Sequence, residues 1–331
     1  MRLVASALVC FALAQVAAAE PIKIGIVHNS AQAPFYLALD KGYFAAEGIE
    51  ASLVPFDAAQ PVAVAVVSGD VDFGAVAATG GFYSLAGQGA LKIIGGETHE
   101  VPGFQLFGFI VSSGAYAAGL TSVKDLPGHS VAVTQVGSGY HYALALLAEK
   151  YAVDLKSIRL LPLQSIPNIA SALTGNQADS AMLNATASAP LLQRGAARLV
   201  AWSGDETPYQ ATVLFTSSKI ADGKHDMIER FFRAYRKGAH DYHDAFAAKD
   251  GSRADGPTAG DVAAVIAKHT GLTPEQVRLG IGYDDPDARL DVKDILHQVE
   301  WFRSQGLVKG EFDPQAVIDT RYAKPLPEPR S

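Results

Sequence analysis

Cysteine is almost absent from this sequence. The only one, Cys10, lies in an N-terminal segment in which an apolar run follows Arg2 and ends at the small residues Ala17-Ala18-Ala19. This pattern is typical of a signal peptide, so we expect residues 1–19 to be removed and the mature chain to begin near Glu20. Without a thiol, the mature chain has no disulfide, no cysteine-ligated metal and no cysteine nucleophile.

The mature sequence also lacks long hydrophobic runs and clustered positive charge. No apolar run after residue 19 approaches the roughly 20 residues that a membrane-spanning helix needs. The 34 acidic residues outnumber the 27 basic ones, and no basic run occurs, which argues against nucleic acid or anionic lipid as a partner. With 331 residues, 49% of them hydrophobic, the chain is long enough for two domains.

The remaining sequence repeats one pattern of strands and helices. Each unit has a strand, a loop, a helix, a second strand, a proline-led helix that stops at glycine, an aspartate and a short apolar strand. Because neighbouring parallel strands need a crossover connection, this alternation predicts two α/β lobes, each with a mostly parallel sheet. The landmarks of the two units lie 106 or 107 residues apart and are Pro61, Gly69 and Asp72 in the first, and Pro167, Gly175 and Asp179 in the second.

Two apolar runs are predicted to connect the lobes. The run from Phe104 to Ser112 leaves the first lobe, and the run from Tyr209 to Ser217 returns to it. Two crossing strands of this kind act as a hinge that permits rigid-body closure. The predicted domains are residues 20–111 with 216–331 for lobe 1 and 112–215 for lobe 2.

The loops at the carboxyl ends of parallel strands are the expected ligand site. Four such loops follow the first and third strand of each unit. The candidate ligand-binding residues from lobe 1 are His28, Asn29, Gln32, Phe35, Tyr36, Ala78 and Thr79. Those from lobe 2 are Gln135, Gly137, Ser138, Gly139, Tyr140, His141, Asn184 and Thr186.

The turn Gly137-Ser138-Gly139 is the strongest of these signals. It precedes a helix that begins near Tyr140, and free N–H groups at a helix N-terminus bind anions. The alternative is an ordinary turn with Ser138 as helix cap. His28 and His141 either donate to an anion or are satisfied at the loop surface. Because the four loops contain no Arg, Lys, Asp or Glu, a monoanion or a neutral heterocycle fits better than a multiply charged ligand.

Signals of catalysis and metal binding are weak. His240 and His243 share one predicted helix with aspartates, which a charged surface face explains without a metal. Asp72 and Asp179 occupy equivalent strand starts in separate lobes, which favours turn roles over paired catalytic carboxylates. We therefore expect neither an enzyme, nor a metal, nor a cofactor.

One stretch of the first unit carries a family resemblance. The segment APFYLALDKGYFAAEGI (Ala33 to Ile49), followed by a helix and SGDVD (Ser68 to Asp72), resembles the SsuA/THI5-like (NMT1-type) solute-binding proteins of bacterial ABC importers. This group includes binders of sulfonates, taurine and thiamine-precursor pyrimidines. The resemblance extends to the tail, with VEWF (Val299 to Phe302) and Gly306-Leu307-Val308.

The resemblance implies a two-lobed periplasmic-binding-protein type II fold with two hinge strands. It also implies a monomeric periplasmic protein that serves an ABC permease and carries a small organic monoanion of the sulfonate or aromatic or organic carboxylate type. A neutral heterocycle such as a thiamine-precursor pyrimidine, an enzyme on the same scaffold and a ligand-sensing role are the alternatives. The related THI5-type pyrimidine synthases use a cysteine cluster that this sequence lacks.

Overall fold

A computed structural model of the protein describes residues 19–327. The predicted signal peptide, including Cys10, lies outside the described residues except for Ala19. Among the residues described, no helix combines the length and the apolar character needed to cross a membrane.

Thirteen strands can be assigned within residues 19–327. In chain order they are β1 Glu20–Val27, β2 Ile49–Phe56, β3 Phe73–Val76, β4 Leu91–Gly96, β5 Thr98–Glu100, β6 Phe107–Ser112, β7 Ser130–Val133, β8 Arg159–Pro162, β9 Ser180–Asn184, β10 Ala197–Trp202, β11 Tyr209–Gln210, β12 Val213–Ser217 and β13 Tyr283–Asp284.

Fourteen α-helices accompany these strands in the described part of the chain. They are α1 Ala33–Asp40, α2 Tyr43–Ala46, α3 Ala59–Ser68, α4 Gly80–Gly87, α5 Ser113–Ala117, α6 Gly139–Lys150, α7 Ile166–Thr174, α8 Ala185–Gln193, α9 Ser203–Glu206, α10 Ser218–Gly223, α11 His225–Phe246, α12 Ala259–Thr270, α13 Pro274–Arg278 and α14 Val292–Ser304.

The strands form two five-stranded sheets of matching design. The first has the order β2-β1-β3-β12-β4 and the second the order β8-β7-β9-β6-β10. In each sheet the first three strands are parallel, and the fourth runs antiparallel to both of its neighbours. We call each sheet with the helices packed on it a lobe. The predicted α/β class with two mostly parallel sheets is confirmed.

The two landmark aspartates make the same contacts in both sheets. The backbone N–H of Lys23 donates to Oδ2 of Asp72 over 2.8 Å, and the backbone N–H of Ser130 donates to Oδ2 of Asp179 over 2.8 Å. Each carboxylate precedes the start of one strand and ties it to the backbone of the neighbouring parallel strand. The predicted turn role of both aspartates is confirmed.

The predicted crossing strands are displaced in the structure. β6 pairs along its whole length within the second sheet and β12 within the first, so the predicted boundaries at 111/112 and 215/216 cut through intact strands. The reason is that uniformly apolar strands belong in the middle of a sheet that is covered on both faces. The chain crosses earlier each time, through residues 97–106 and 203–212, and a small sheet of order β11-β5-β13 forms there.

The long helix α11 closes the outer side of lobe 1. Its buried apolar residues recur at helical spacing, and the helix packs on α1 and α2. Phe231 stacks on Phe73 of the central strand β3 with ring centroids 4.2 Å apart, and Tyr235 lies 4.8 Å from Phe35 of α1. This packing fixes α1 against the sheet and so fixes the loop between β1 and α1.

Candidate functional site

A cavity of about 50 Å³ lies where the carboxyl ends of the parallel strands in the two sheets face each other. Fourteen residues line it. Lobe 1 contributes residues at or just after the carboxyl ends of β1, β2 and β3, namely Val27, Asn29, Ala58, Ala59, Val76 and Ala77. Lobe 2 contributes residues that follow β7 and β8, namely Thr134, Ser138, Gly139, Tyr140 and Ile166. Gln32, Phe107 and Thr212 complete the lining.

Three helix N-termini from both lobes converge on this cavity. Ala58 is the N-cap of α3, Ser138 is the N-cap of α6, and Ile166 is the first residue of α7. The first N–H groups of a helix have no partner within the helix, and they carry partial positive charge. Ala58 has no side-chain oxygen that could cap α3, so the N-cap side chain does not compete with a ligand for the first N–H groups of that helix. None of the lining residues is Lys, Arg, His, Asp or Glu, so no charged side chain of the lining competes with these backbone dipoles for a ligand.

The loop before α6 owes its shape to a glycine and a histidine. Gly137 has φ +85°, a conformation that side chains disfavour, and its N–H donates to Nδ1 of His141 over 3.1 Å. Oγ of Ser138 accepts a 3.3 Å hydrogen bond from the backbone N–H of His141. Burial lowers the pKa of His141 to about 4, so its imidazole is neutral at neutral pH. His141 therefore orders the loop and does not supply a charge to a ligand.

Tyr140 follows the same turn, lines the cavity and is held in place by Asn184. Nδ2 of Asn184 donates to the Tyr140 hydroxyl over 3.1 Å, while Oδ1 of Asn184 caps α8 by accepting from the backbone N–H of Ala187. The ring of Tyr140 meets Phe107 edge to face at 5.2 Å. The rings of Tyr140 and Phe107 give the cavity an aromatic wall.

On the lobe 1 side, Asn29 and Gln32 flank a short 3₁₀ turn. Oδ1 of Asn29 accepts from the backbone N–H of Ala31 over 2.8 Å, which caps the turn. Nε2 of Gln32 donates to the carbonyl of Ala75 in β3 over 3.2 Å. Both side chains are buried, so their orientations are fixed by these bonds.

The lobes touch each other beside the cavity. The backbone N–H of Gly80 at the start of α4 donates to the carbonyl of Gly137 over 2.9 Å, and the backbone N–H of Ser30 donates to Oγ1 of Thr186 over 2.9 Å. These contacts join residues of lobe 1 to residues of lobe 2. The structure therefore has its cleft closed.

Five of the fifteen residues predicted from the sequence line the cavity, and ten do not. The five are Asn29, Gln32, Ser138, Gly139 and Tyr140. Four of the others support the loops, because Gly137 and Thr186 join the lobes, His141 orders the turn and Asn184 holds Tyr140. The remaining six lie elsewhere, and they are His28, Phe35, Tyr36, Ala78, Thr79 and Gln135.

The individual environments explain these placements. His28 is exposed and its Nε2 contacts the carbonyl of His269. Phe35 is buried in the core of lobe 1, and the Tyr36 hydroxyl donates to the carbonyl of Asn29 over 3.1 Å. Thr79 caps α4 through a 2.9 Å bond from the backbone N–H of Phe82. Ala78 is buried in the loop between β3 and α4, and the carbonyl of Gln135 accepts the backbone N–H of Ser138 in the turn before α6.

The sequence analysis missed the lining residues that follow β2 and β8. Ala58, Ala59 and Ile166 lie at the carboxyl ends of parallel strands, and the rule used for the other loops would have included them. Phe107 and Thr212 lie where the crossing segments enter β6 and β12. No pattern in the sequence distinguishes these two from other residues of apolar runs.

Buried carboxyl groups lie next to the cavity in the crossing segments. Glu100 accepts a 2.7 Å hydrogen bond from the backbone N–H of Phe107, and burial raises the pKa of Glu100 to about 8. Burial likewise raises the pKa of Glu97 well above its usual range. Both groups therefore favour the neutral form and do not repel an anion. In residues 19–327 no three His, Cys, Asp or Glu side chains are grouped as a metal ion would require.

This architecture recurs in solved structures of periplasmic binding proteins. The alkanesulfonate-binding protein SsuA from Xanthomonas axonopodis pv. citri, bound to MOPS, superposes with a TM-score of 0.72 at 19% identity, covering 92% of this chain and 99% of that one. The periplasmic aliphatic sulphonate binding protein SsuA from Escherichia coli gives 0.71 at 16% identity, covering 94% and 95%. The desulfurization enzyme DSZB gives 0.62 at 16% identity, covering 92% and 96%.

These likenesses show that the chain has the fold of the periplasmic binding proteins. The model of the NMT1/THI5-like family matches residues 29–245, which is more than half of the chain, and the protein belongs to that family. The resemblance seen in the sequence is thereby confirmed. A comparison with curated protein sequences gave no match.

Proposed function

We propose that the protein is the solute-binding component of an ABC importer and that it captures a small organic monoanion in the cavity between its lobes. The observation that carries this proposal is the convergence of the N-termini of α3, α6 and α7 on a cavity whose lining has no charged side chain. Backbone dipoles in a dry cavity stabilise one negative charge without the cost of burying a cation beside it.

The organic part of the ligand is proposed to be of the sulfonate or carboxylate type, with an apolar or aromatic portion. Phe107 and Tyr140 offer ring edges, and Val27, Val76 and Ile166 offer aliphatic surface. Apolar walls with a few fixed polar groups are the usual composition of small-molecule sites. The alkanesulfonate binders of the same fold are consistent with this class of ligand.

Binding is proposed to proceed by closure of the lobes. The crossing segments 97–106 and 203–212 are the hinge, so lobe 1 comprises residues 20–96 and 213–327 and lobe 2 comprises the residues between the crossings. The ligand favours the closed form only through contacts that the open form lacks. The α6 terminus on one lobe and the α3 terminus on the other meet a single anion only when the cleft is closed.

The proposal includes an exported, periplasmic and monomeric protein that delivers its ligand to a permease. It also includes the absence of catalysis. Tyr140 is the one ionisable side chain in the lining, and that lining offers no carboxylate, imidazole or thiol as nucleophile or base. An enzyme on this scaffold is the rival, since DSZB shares the fold.

A ligand screen tests the proposal. Thermal unfolding of the mature protein is followed with ethanesulfonate, benzoate and the neutral pyrimidine 4-amino-5-hydroxymethyl-2-methylpyrimidine. At 100 times its Kd a ligand stabilises the folded state by about 2.7 kcal/mol, which raises the Tm of a chain of this length by about 4 °C. We expect this shift with a monoanion and unchanged recovery of that compound after incubation.

Two results would contradict the proposal. A shift with the pyrimidine alone would favour the neutral ligand, and conversion of any bound compound would favour an enzyme. The variant His28→Ala serves as control, because His28 is exposed and lies outside the cavity lining. It should show the same ligand shifts as the unmodified protein.

A further inference from the structure

One polar atom at the cavity has no partner in the structure. Gln32 is 1% exposed and lines the cavity, and Oε1 of its amide makes no hydrogen bond to any described residue. The orientation of the amide is fixed, since Nε2 donates to the carbonyl of Ala75 over 3.2 Å. A flipped amide would place two acceptors face to face, so the free atom at the cavity is the oxygen.

A buried acceptor without a donor costs free energy, and native proteins satisfy nearly all such groups. The other fixed polar groups around the cavity are mostly donors. They include the first-turn N–H groups of α6 and α3, whose N-cap residues Ser138 and Ala58 line the cavity. The donors of α6 lie on lobe 2 and those of the first turn of α3 on lobe 1, and the unpaired acceptor of Gln32 also lies on lobe 1.

We propose that the ligand is bifunctional: besides its anionic group it carries an N–H or O–H donor, which binds Oε1 of Gln32. The anionic group lies at the α6 N-terminus in lobe 2, and the donor reaches the amide in lobe 1. This inference rests on the proposed function and narrows its ligand class to hydroxylated or amino-substituted monoanions. A ligand with both groups contacts both lobes and therefore stabilises the closed form.

Matched ligands test this inference on the unmodified mature protein. Isothermal titration compares ethanesulfonate, 2-hydroxyethanesulfonate and 2-methoxyethanesulfonate, and likewise benzoate with its 3- and 4-hydroxy and methoxy derivatives. The hydroxyl supplies a donor, whereas the methoxy group of similar size supplies none. We expect one hydroxylated member to bind about 10-fold or more tightly than both its parent and its methoxy analogue.

A variant pair assigns the selectivity to Gln32. Gln32→Met keeps the shape of the side chain and removes the acceptor, so the advantage of the hydroxylated ligand should disappear while the parent ligand still binds. The control is Gln298→Met, because Gln298 is also buried but both ends of its amide are paired, to the Gln210 carbonyl and the Tyr83 hydroxyl. Its selectivity should match that of the unmodified protein.

The outcomes separate this inference from the function that it builds on. Equal affinities within each ligand series would overturn the requirement for a donor and leave the monoanion proposal standing. If none of the monoanions binds, the proposed function itself is overturned. Selectivity that survives in Gln32→Met would place the donor contact on another residue and refute the role of Gln32.

Discussion

The substitution Glu100→Gln tests the buried acid beside the cavity. Glu100 is 1% exposed, lies in the crossing strand β5 and accepts the backbone N–H of Phe107. Burial raises its pKa to about 8 in the folded protein, from an ordinary value of 4.5. The folded state therefore holds this proton at pH values where the unfolded chain has already released it.

The sign and size of the effect follow from this pKa difference. Between pH 4.5 and pH 8 the unfolded state binds fewer protons, so Glu100 reduces the free energy of unfolding as the pH rises. At pH 7 the reduction relative to pH 4.5 is about 3 kcal/mol, because each pKa unit corresponds to about 1.4 kcal/mol. Glutamine keeps the acceptor oxygen for the N–H of Phe107 and cannot ionise. We expect the variant to match the parent near pH 4.5 and to gain stability progressively toward pH 8.

Urea unfolding at pH 5, 6, 7 and 8, followed by circular dichroism, measures this difference. Asp284, whose burial raises its pKa to about 7, titrates in both proteins and cancels in the comparison. Glu275→Gln on the exposed helix α13 is the control, and its difference from the parent should not grow with pH. A stability difference for Glu100→Gln that stays constant from pH 5 to pH 8 would refute the idea that the native state holds Glu100 protonated.

Four substitutions probe the cleft and the sheets. A Cβ at Gly139 would lie 2.7 Å from Cβ of Ala77 across the cleft, so Gly139→Ala should hold the lobes apart. Titration should then show ligand binding about 10-fold weaker, while the Tm of the free protein changes little. Asp179→Ala and Asp72→Ala remove equivalent strand contacts and should each cost about 1–3 kcal/mol in urea unfolding; a cost confined to one of them would contradict the equivalence of the units. His28→Ala should change ligand affinity less than twofold in the same titration, and a larger loss would restore His28 to the site.

The sequence predicted the fold well because its evidence was local and repeated. Proline near the start and glycine at the end of a helix act through backbone geometry within a few residues. The structure shows the same local control, since α14 begins after its cap Asp291 and α13 begins at Pro274 after its cap Thr273. Asp72 and Asp179 occupy the same position in the two repeats of the sequence pattern, which indicated two copies of one unit. Their matching hydrogen bonds confirm this prediction.

The crossing points were less predictable because two kinds of apolar segment look alike in a sequence. A strand in the middle of a sheet and a strand that links two lobes both read as short apolar runs. Only the pairing of β6 with the second sheet and of β12 with the first shows that the crossings come earlier, at Glu97 to Leu106 and Ser203 to Thr212. The polar residues of these segments gave no hint of burial.

Taken alone, the sequence determined that strands and helices alternate, that this pattern occurs twice, and that loops at the carboxyl ends of parallel strands are the expected ligand site. Those properties depend on residues close together in the chain. The tertiary structure alone decided which side chains face the cavity, because that choice depends on how distant loops pack. In the structure Asn29, Gln32 and Ser138 line the cavity, whereas His28 is exposed. Phe107 packs against Tyr140, from which it is remote in the chain.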